Sequence, residues 1–250
     1  MEPVVPSEQS SSSASSAILP VERAAAALEV VLCSGFPTQL AVITVLSALG
    51  VHMRLADGRL SPLFIFTLTL ADTVLLVGLI AFFFRAHRES LFSELFRSRV
   101  TLRDLTFGLV LVPASFFLIV FVLMLLQATV PFLRNVPHNP FADLVKTRAD
   151  AVLFALVAMI AGGVREEIQR GFVLRRFEQY LGGGNVGLVL FSLVFGLGHV
   201  EQGRDVALAT AVLGAFWGAI YLRRRTVAPA MIGHAGFNLT QVVKFLALGG

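Results

Sequence analysis

Val164-Arg165-Glu166-Glu167-Ile168-Gln169-Arg170-Gly171 follows the apolar run 151–163 and places four ionisable side chains within six residues. One charged residue at the centre of a spanning helix costs about 2.5–3.5 kcal/mol on insertion scales, while one Leu or Phe returns about 0.3–0.6 kcal/mol. Four unpaired charges deep in a bilayer would therefore cost on the order of 10 kcal/mol. They must pair with one another, face a polar interior, or both. Glu166 stands four residues before Arg170 and Glu167 three before it, so helical spacing allows the pairing; Arg165 is expected on the other side. A carboxylate cluster beside an arginine inside a membrane protein marks a functional site.

The bilayer is implied by composition. The 250 residues are 56% hydrophobic and 14% charged, with a mean hydropathy of +0.80. Soluble domains lie nearer 45–50% apolar and about 25% charged. Net charge is +4, from eighteen Arg and two Lys against sixteen acids. These cations fall between apolar runs rather than in a patch, which argues against nucleic acid as a partner and for topology signals. The single cysteine, Cys33, lies in an apolar run; it excludes a disulfide framework and a multi-cysteine metal site, and reads as a small buried side chain.

Residues 1–22 are Ser-rich, with no basic residue before Arg23, and read as a disordered tail rather than a secretory signal. Membrane helices follow across 23–127: a first span at about 28–51 with a kink at Pro37, a second at 62–84 carrying the lone acid Asp72, and a third at 105–127. Asp72 is expected to bond to a neighbouring helix or to contact the site. Between the second and third spans, Leu91, Phe92, Leu95 and Phe96 suggest a short helix at the interface. Residues 128–148, with Pro131, Pro137 and Pro140, read as a loop or re-entrant cap. The segment 149–250 holds a fourth span ending where Gly182-Gly183-Gly184 stops it, then spans at 186–200, 206–222 and 227–248. The expectation is an all-α polytopic bundle of about seven spans, six to eight. No internal repeat is visible, which weighs against inverted-repeat transporters.

With seven spans, one side receives Arg23, the five arginines of 85–103, Arg175, Arg176 and Arg223–Arg225, eleven in all. The other receives six: Arg54, Arg59, Arg134, Lys146, Arg148 and Arg204. The excess places the N-terminus and Arg223–Arg225 in the cytoplasm. The absence of an organelle-targeting segment suggests a bacterial inner membrane.

Of five histidines, His52, His87 and His138 fall in loops and read as solvated. His199 ends an apolar helix in Phe195-Gly196-Leu197-Gly198-His199. His234 and Asn238 sit four apart on another, so one face presents both. The neighbouring glycines let a helix or a ligand come close. Each group alone could be interhelical polar glue. Together, a carboxylate pair, two imidazoles and an amide on three helices are the parts of a hydrolytic site. Imidazoles can hold a water or ligate a metal, a carboxylate can take the water's proton, and an amide or arginine can stabilise an oxyanion.

These residues resemble the CPBP intramembrane proteases (CAAX proteases and bacteriocin-processing enzymes, also called the Abi family). The family pattern is Glu-Glu-x-x-x-Arg, then Phe-x-x-x-His, then His-x-x-x-Asn on successive helices. Phe195-x-x-x-His199 and His234-x-x-x-Asn238 match the second and third motifs, and the similarity spans about 145–243. The first motif departs: the spacing from the Glu-Glu pair to Arg170 is one residue short, or, aligned on Arg170, Arg165 stands in place of the first Glu. The resemblance implies an intramembrane endopeptidase acting on a prenylated or otherwise membrane-associated peptide or protein.

Under this resemblance, Glu166, with Glu167 in reserve, would deprotonate a water held by His199 and His234. Asn238 would donate to the oxyanion and Arg170 would orient the acids. Glu166, His199 and His234 could instead complete a three-ligand site for a divalent metal, Zn²⁺ first, or a Glu–His pair could act without metal. Two other classes stay open: a non-proteolytic scaffold or bacteriocin immunity or maturation factor of the same fold, and a transporter using the acids as an ion path.

Overall fold

The computed structural model describes residues 18–97, 99–137, 141 and 144–248. The expected disorder of residues 1–17 and the solvated His138 lie outside the described residues. Regular structure among those described is helical, save an isolated antiparallel bridge between Arg54 and Leu60. In chain order the helices are α1 (Pro20–Leu32), α2 (Phe36–Ala48), α3 (Pro62–Ala86), α4 (Leu91–Phe96), α5 (Leu102–Thr129), α6 (Arg148–Ala158), α7 (Glu167–Tyr180), α8 (Gly184–Leu197), α9 (Arg204–Arg224) and α10 (Ala228–Leu248). A π-helical segment, Met159–Glu166, joins α6 to α7.

Local chemistry explains most boundaries. Ser61 caps α3 by accepting from the Phe64 amide, with Pro62 in the first turn. Thr101 with Asp104 and Thr147 with Asp150 form reciprocal capping boxes at α5 and α6. After Tyr180, Gly182 and Gly183 take φ of +95° and +102°, and the Gly183 amide donates back to the Phe177 carbonyl. The glycine run therefore ends α7 as expected.

Three expectations need correction. Helix α1 begins at Pro20, so residues 20–22 are not tail: Pro20 occupies the first turn and Glu22 accepts from the Leu19 amide at 2.8 Å. The first span is two helices bent by 43°, not one helix kinked at Pro37. The break falls at Cys33-Ser34-Gly35, where Gly35 adopts φ +91°, and Pro37 sits in the first turn of α2. The short helix α4 is not merely interfacial, since Leu95 is fully buried and the Val227 amide donates to its carbonyl at 2.8 Å.

Three helices, α3, α5 and α9, are long and apolar enough to cross a membrane, or four if the bent α1–α2 pair counts as one. Helix α8 is apolar but only 14 residues long. Length and composition thus support an integral membrane bundle without reaching seven spans. The outer faces suit lipid: α5 exposes Leu109, Val110, Phe117, Phe121 and Met124.

The core is built around α7, whose residues Glu167–Leu174 are all buried. Phe172, Leu174, Trp217, Leu213, Leu76, Ile80 and Phe84 pack there from α3, α7 and α9. Helices close on one another through glycine. A Cβ on Gly196 of α8 would lie 2.5 Å from the Ala207 carbonyl of α9, and one on Gly233 of α10 would lie 2.7 Å from Leu111 Cβ of α5. The glycines flanking the two histidines therefore serve helix approach, as their sequence context suggested.

Candidate active site

The helical run from α6 through the π segment into α7 carries the acidic stretch. In the π segment hydrogen bonds run i→i+5, so the turn widens and side chains lose α-helical phase. Arg165 consequently does not point away from the acids: it lines the same cavity as Glu166. That cavity, about 330 Å³, is walled by Asp72, Arg165, Glu166, Gln169 and His199 on its polar side. Phe36, Leu68, Phe191, Val194 and Phe195 form its apolar side.

The two glutamates have different surroundings. Glu167 is 1% exposed; its carboxylate accepts from Arg170 Nη1 and from His234 Nδ1, the latter at 2.8 Å. Of the two pairings that spacing allowed, Arg170 makes the one to Glu167. The Arg170 guanidinium is itself buried and stands over the rings of Phe195 (4.9 Å), Phe191 (5.5 Å) and Trp217 (5.6 Å). Glu166 is freer. It is half-buried on the cavity wall, its Oε2 lies 3.7 Å from His234 Nε2, and its Oε1 lies 3.9 Å from Arg165 Nη1.

His234 is clamped on several sides. Nδ1 faces Glu167, and the indole of Trp217 stacks on the ring at 3.8 Å and 21°. The ring edge meets Phe195 at 6.3 Å, and Gly162 stands so close that a Cβ there would lie 2.9 Å from Nε2. Because a carboxylate only accepts, Nδ1 carries a hydrogen, and the other ring nitrogen, Nε2, faces Glu166. His199 follows the same logic: Nδ1 donates to the Phe195 carbonyl at 2.9 Å, one turn back, and the ring lines the cavity. Asn238 donates one amide hydrogen to the Ala158 carbonyl at 2.9 Å, at the end of α6 where the π segment begins.

Glu166, Glu167, Arg170, His234 and Asn238 are thus linked through contacts among α6, the π segment, α7 and α10, while His199 joins Glu166 on the cavity wall from the end of α8. His234, Glu167, Arg170 and Asn238 lie behind that wall rather than on it. Among the described residues no three His, Cys, Asp or Glu side chains converge to hold a metal ion. Glu166, His199 and His234 therefore do not fit a three-ligand zinc site as they stand, even though the Glu167–His234 bond is the kind that orients metal ligands elsewhere.

Sequence reasoning missed several partners. Asp72 of α3 accepts from Arg165 Nη2 at 2.6 Å, so this lone acid both bonds a neighbouring element and lines the cavity. Two intramembrane charges of opposite sign without an assigned partner were the signal. Gln169 Nε2 donates to the Cys33 carbonyl at 2.8 Å, satisfying the α1–α2 break. Cys33 is buried, as expected, and His52 is exposed. His87 is not a free loop side chain: its Nε2 lies 2.6 Å from Glu29 Oε1. Glu29 also accepts from Arg176, which with Arg175 and Gln179 binds Glu89. Burial opposes charge on Glu89, but the hydrogen bonds from Gln179, Arg176 and Arg175 prevail and hold its pKa at about 2.

Glu166, from the π segment, and His199, from the end of α8, thus face one cavity. Residues 148–240 match the family model described as type II CAAX prenyl endopeptidase Rce1-like. The matched segment runs from the start of α6 into α10 and contains the acidic stretch and both histidine motifs. No curated protein and no solved structure gives a match.

Proposed function

We propose that this protein is an intramembrane endopeptidase that hydrolyses a peptide bond in a prenylated or otherwise membrane-associated substrate. The observation that carries the reading is the division of labour between the acids: Glu167 is locked by Arg170 and His234, while Glu166 faces the cavity beside an open imidazole nitrogen. The 3.7 Å gap between Glu166 Oε2 and His234 Nε2 is too long for a direct hydrogen bond. It accepts a water about 2.8 Å from each. With His234 neutral both groups accept, so the water gives one hydrogen to each and aims a lone pair into the cavity.

Glu166 takes the proton as the water oxygen bonds to the substrate carbonyl carbon, and then delivers it to the departing amine as the C–N bond breaks. Arg170 and Glu167 keep His234 in the required tautomer. The cavity face of His199 is assigned to the scissile peptide, whose N–H its Nε2 can accept, while Asn238, behind the wall, holds the end of α6 through the Ala158 carbonyl. The aromatic and aliphatic side of the cavity receives apolar substrate residues. No step is routed through a metal, because the donor set does not converge on one.

The excess of arginines in the α3–α5 segment and after α7 and α9 orients these ends toward the cytoplasm, in a bacterial inner membrane. Glu166→Gln abolishes cleavage of a fluorogenic prenylated CAAX peptide while the thermal unfolding midpoint stays within a few degrees of wild type; full activity in that variant removes the proposal. Treatment with 1,10-phenanthroline or EDTA leaves the rate intact, whereas a loss restored by added Zn²⁺ would return a metal to the mechanism.

A further inference from the structure

Arg165 lies where the acidic stretch departs from the Glu-Glu-x-x-x-Arg pattern, and it brings a cation against the proposed base. Nη1 stands 3.9 Å from Glu166 Oε1, and both side chains face the same cavity. A charge-assisted hydrogen bond forms at about 2.7–2.9 Å, so a movement of about 1 Å would join them. The guanidinium is held the other way. Nη2 donates to Asp72 Oδ2 at 2.6 Å, and the other oxygen of Asp72 accepts from Thr38 Oγ1 at 2.5 Å. The Gly35 backbone boxes the same nitrogen in, since a Cβ there would lie 2.6 Å from Nη2. Arg165 Nε is buried without a partner, so Asp72 supplies the strong anchor on this side chain. Glu167 offers no alternative, being occupied by Arg170 and His234.

We propose that Asp72 is a positioning residue for the hydrolysis: it draws Arg165 off Glu166 and so leaves the Glu166 carboxylate open to water. The inference rests on the protease reading. Without Asp72, a buried guanidinium beside a carboxylate closes the last ångström, because two unlike charges in a low-dielectric site do not remain unpaired. Glu166 is then bound in an ion pair and turned from the water it must activate. Thr38 acts one step further back, by fixing the oxygen of Asp72 that does not hold Arg165.

The test uses the full-length protein in proteoliposomes with a quenched-fluorescence prenylated CAAX peptide. Wild-type cleavage that is lost in Glu166→Gln establishes the protease reading first; an inactive wild type overturns both that reading and this one. Asp72→Asn is expected to lower kcat by about 10- to 100-fold, the range that a misplacement of about 1 Å can cause, with KM little changed. Thr38→Val keeps the charge balance and is expected to lower kcat less. It decides the matter if Asp72→Asn does not fold. The decisive readout is the second-site variant: Arg165→Gln added to Asp72→Asn or to Thr38→Val removes the competing cation and is expected to recover most of the lost kcat. A merely structural Asp72 predicts no recovery. With the wild type active and Glu166→Gln inactive, unchanged kcat in the single variants, or loss that Arg165→Gln does not relieve, overturns the proposal.

Discussion

At the scale of single residues, the site separates two glutamates that the sequence sets side by side. Glu167 neutralises a buried arginine and orients His234; Glu166 faces the cavity. Removing one partner of a buried ion pair strands the other charge, at about 3–5 kcal/mol. Glu167→Gln is therefore expected to lower the unfolding midpoint strongly in a thermal melt of the detergent-solubilised protein, whereas Glu166→Gln is not. Gly162 belongs to the same argument, because a Cβ there would press on His234 Nε2 at 2.9 Å. Gly162→Ala should cost about 1–3 kcal/mol by overpacking and reduce cleavage, measured in the same melt and the same peptide assay.

At the scale of elements, two interruptions of regular helix build the cavity. The break between α1 and α2 brings Ser34, Phe36 and Gln39 to the wall, and the π segment turns Arg165 and Glu166 toward it. Gly35 makes the first possible with φ +91°, a region in which L-residues lose about 1 kcal/mol or more. Gly35→Ala is expected to destabilise the fold by at least that amount and to disturb Arg165, read as a lower melting midpoint together with a lower kcat. Neither interruption was legible as such. Pro37 signalled a disturbance in the first span, but only packing against α7, through Gln169 and the Cys33 carbonyl, decides that the chain opens at residues 33–35. The sequence 159–166 carries Gly162 and Gly163 yet no residue that demands i→i+5 bonding.

At the scale of the whole molecule, ion pairs tie the basic segments together at one end. Arg175 and Arg176 meet Glu89, Arg224 meets Asp104, and Arg225 meets Glu178 at 2.5 Å. Glu89 is held at about 2, below its ordinary 4.5. Its contribution to stability is therefore complete above about pH 4.5 and is lost as pH falls toward 2. The difference in melting midpoint between wild type and Glu89→Gln should accordingly be largest near neutrality and vanish near pH 2. The same end carries the arginine excess. Cysteines introduced by Arg223→Cys and Arg134→Cys, both at exposed positions, should react with a membrane-impermeant maleimide from opposite sides, residue 223 from the cytoplasm. Buried Cys33 leaves little background.

What the sequence determined alone was the bilayer, the helical class and the family resemblance of about 145–243, because long apolar runs admit no other backbone in lipid and because the ordered His and Asn motifs are local patterns. It also identified the charged stretch as the centre, since unpaired charge in a membrane demands a partner. Which partner was a question of distance between helices remote in the chain. Asp72 lies 93 residues from Arg165, and Glu167 lies 67 from His234. Only the tertiary packing of α3, α7 and α10 around a widened helical turn could decide which acid is locked, which is open, and where the extra arginine goes.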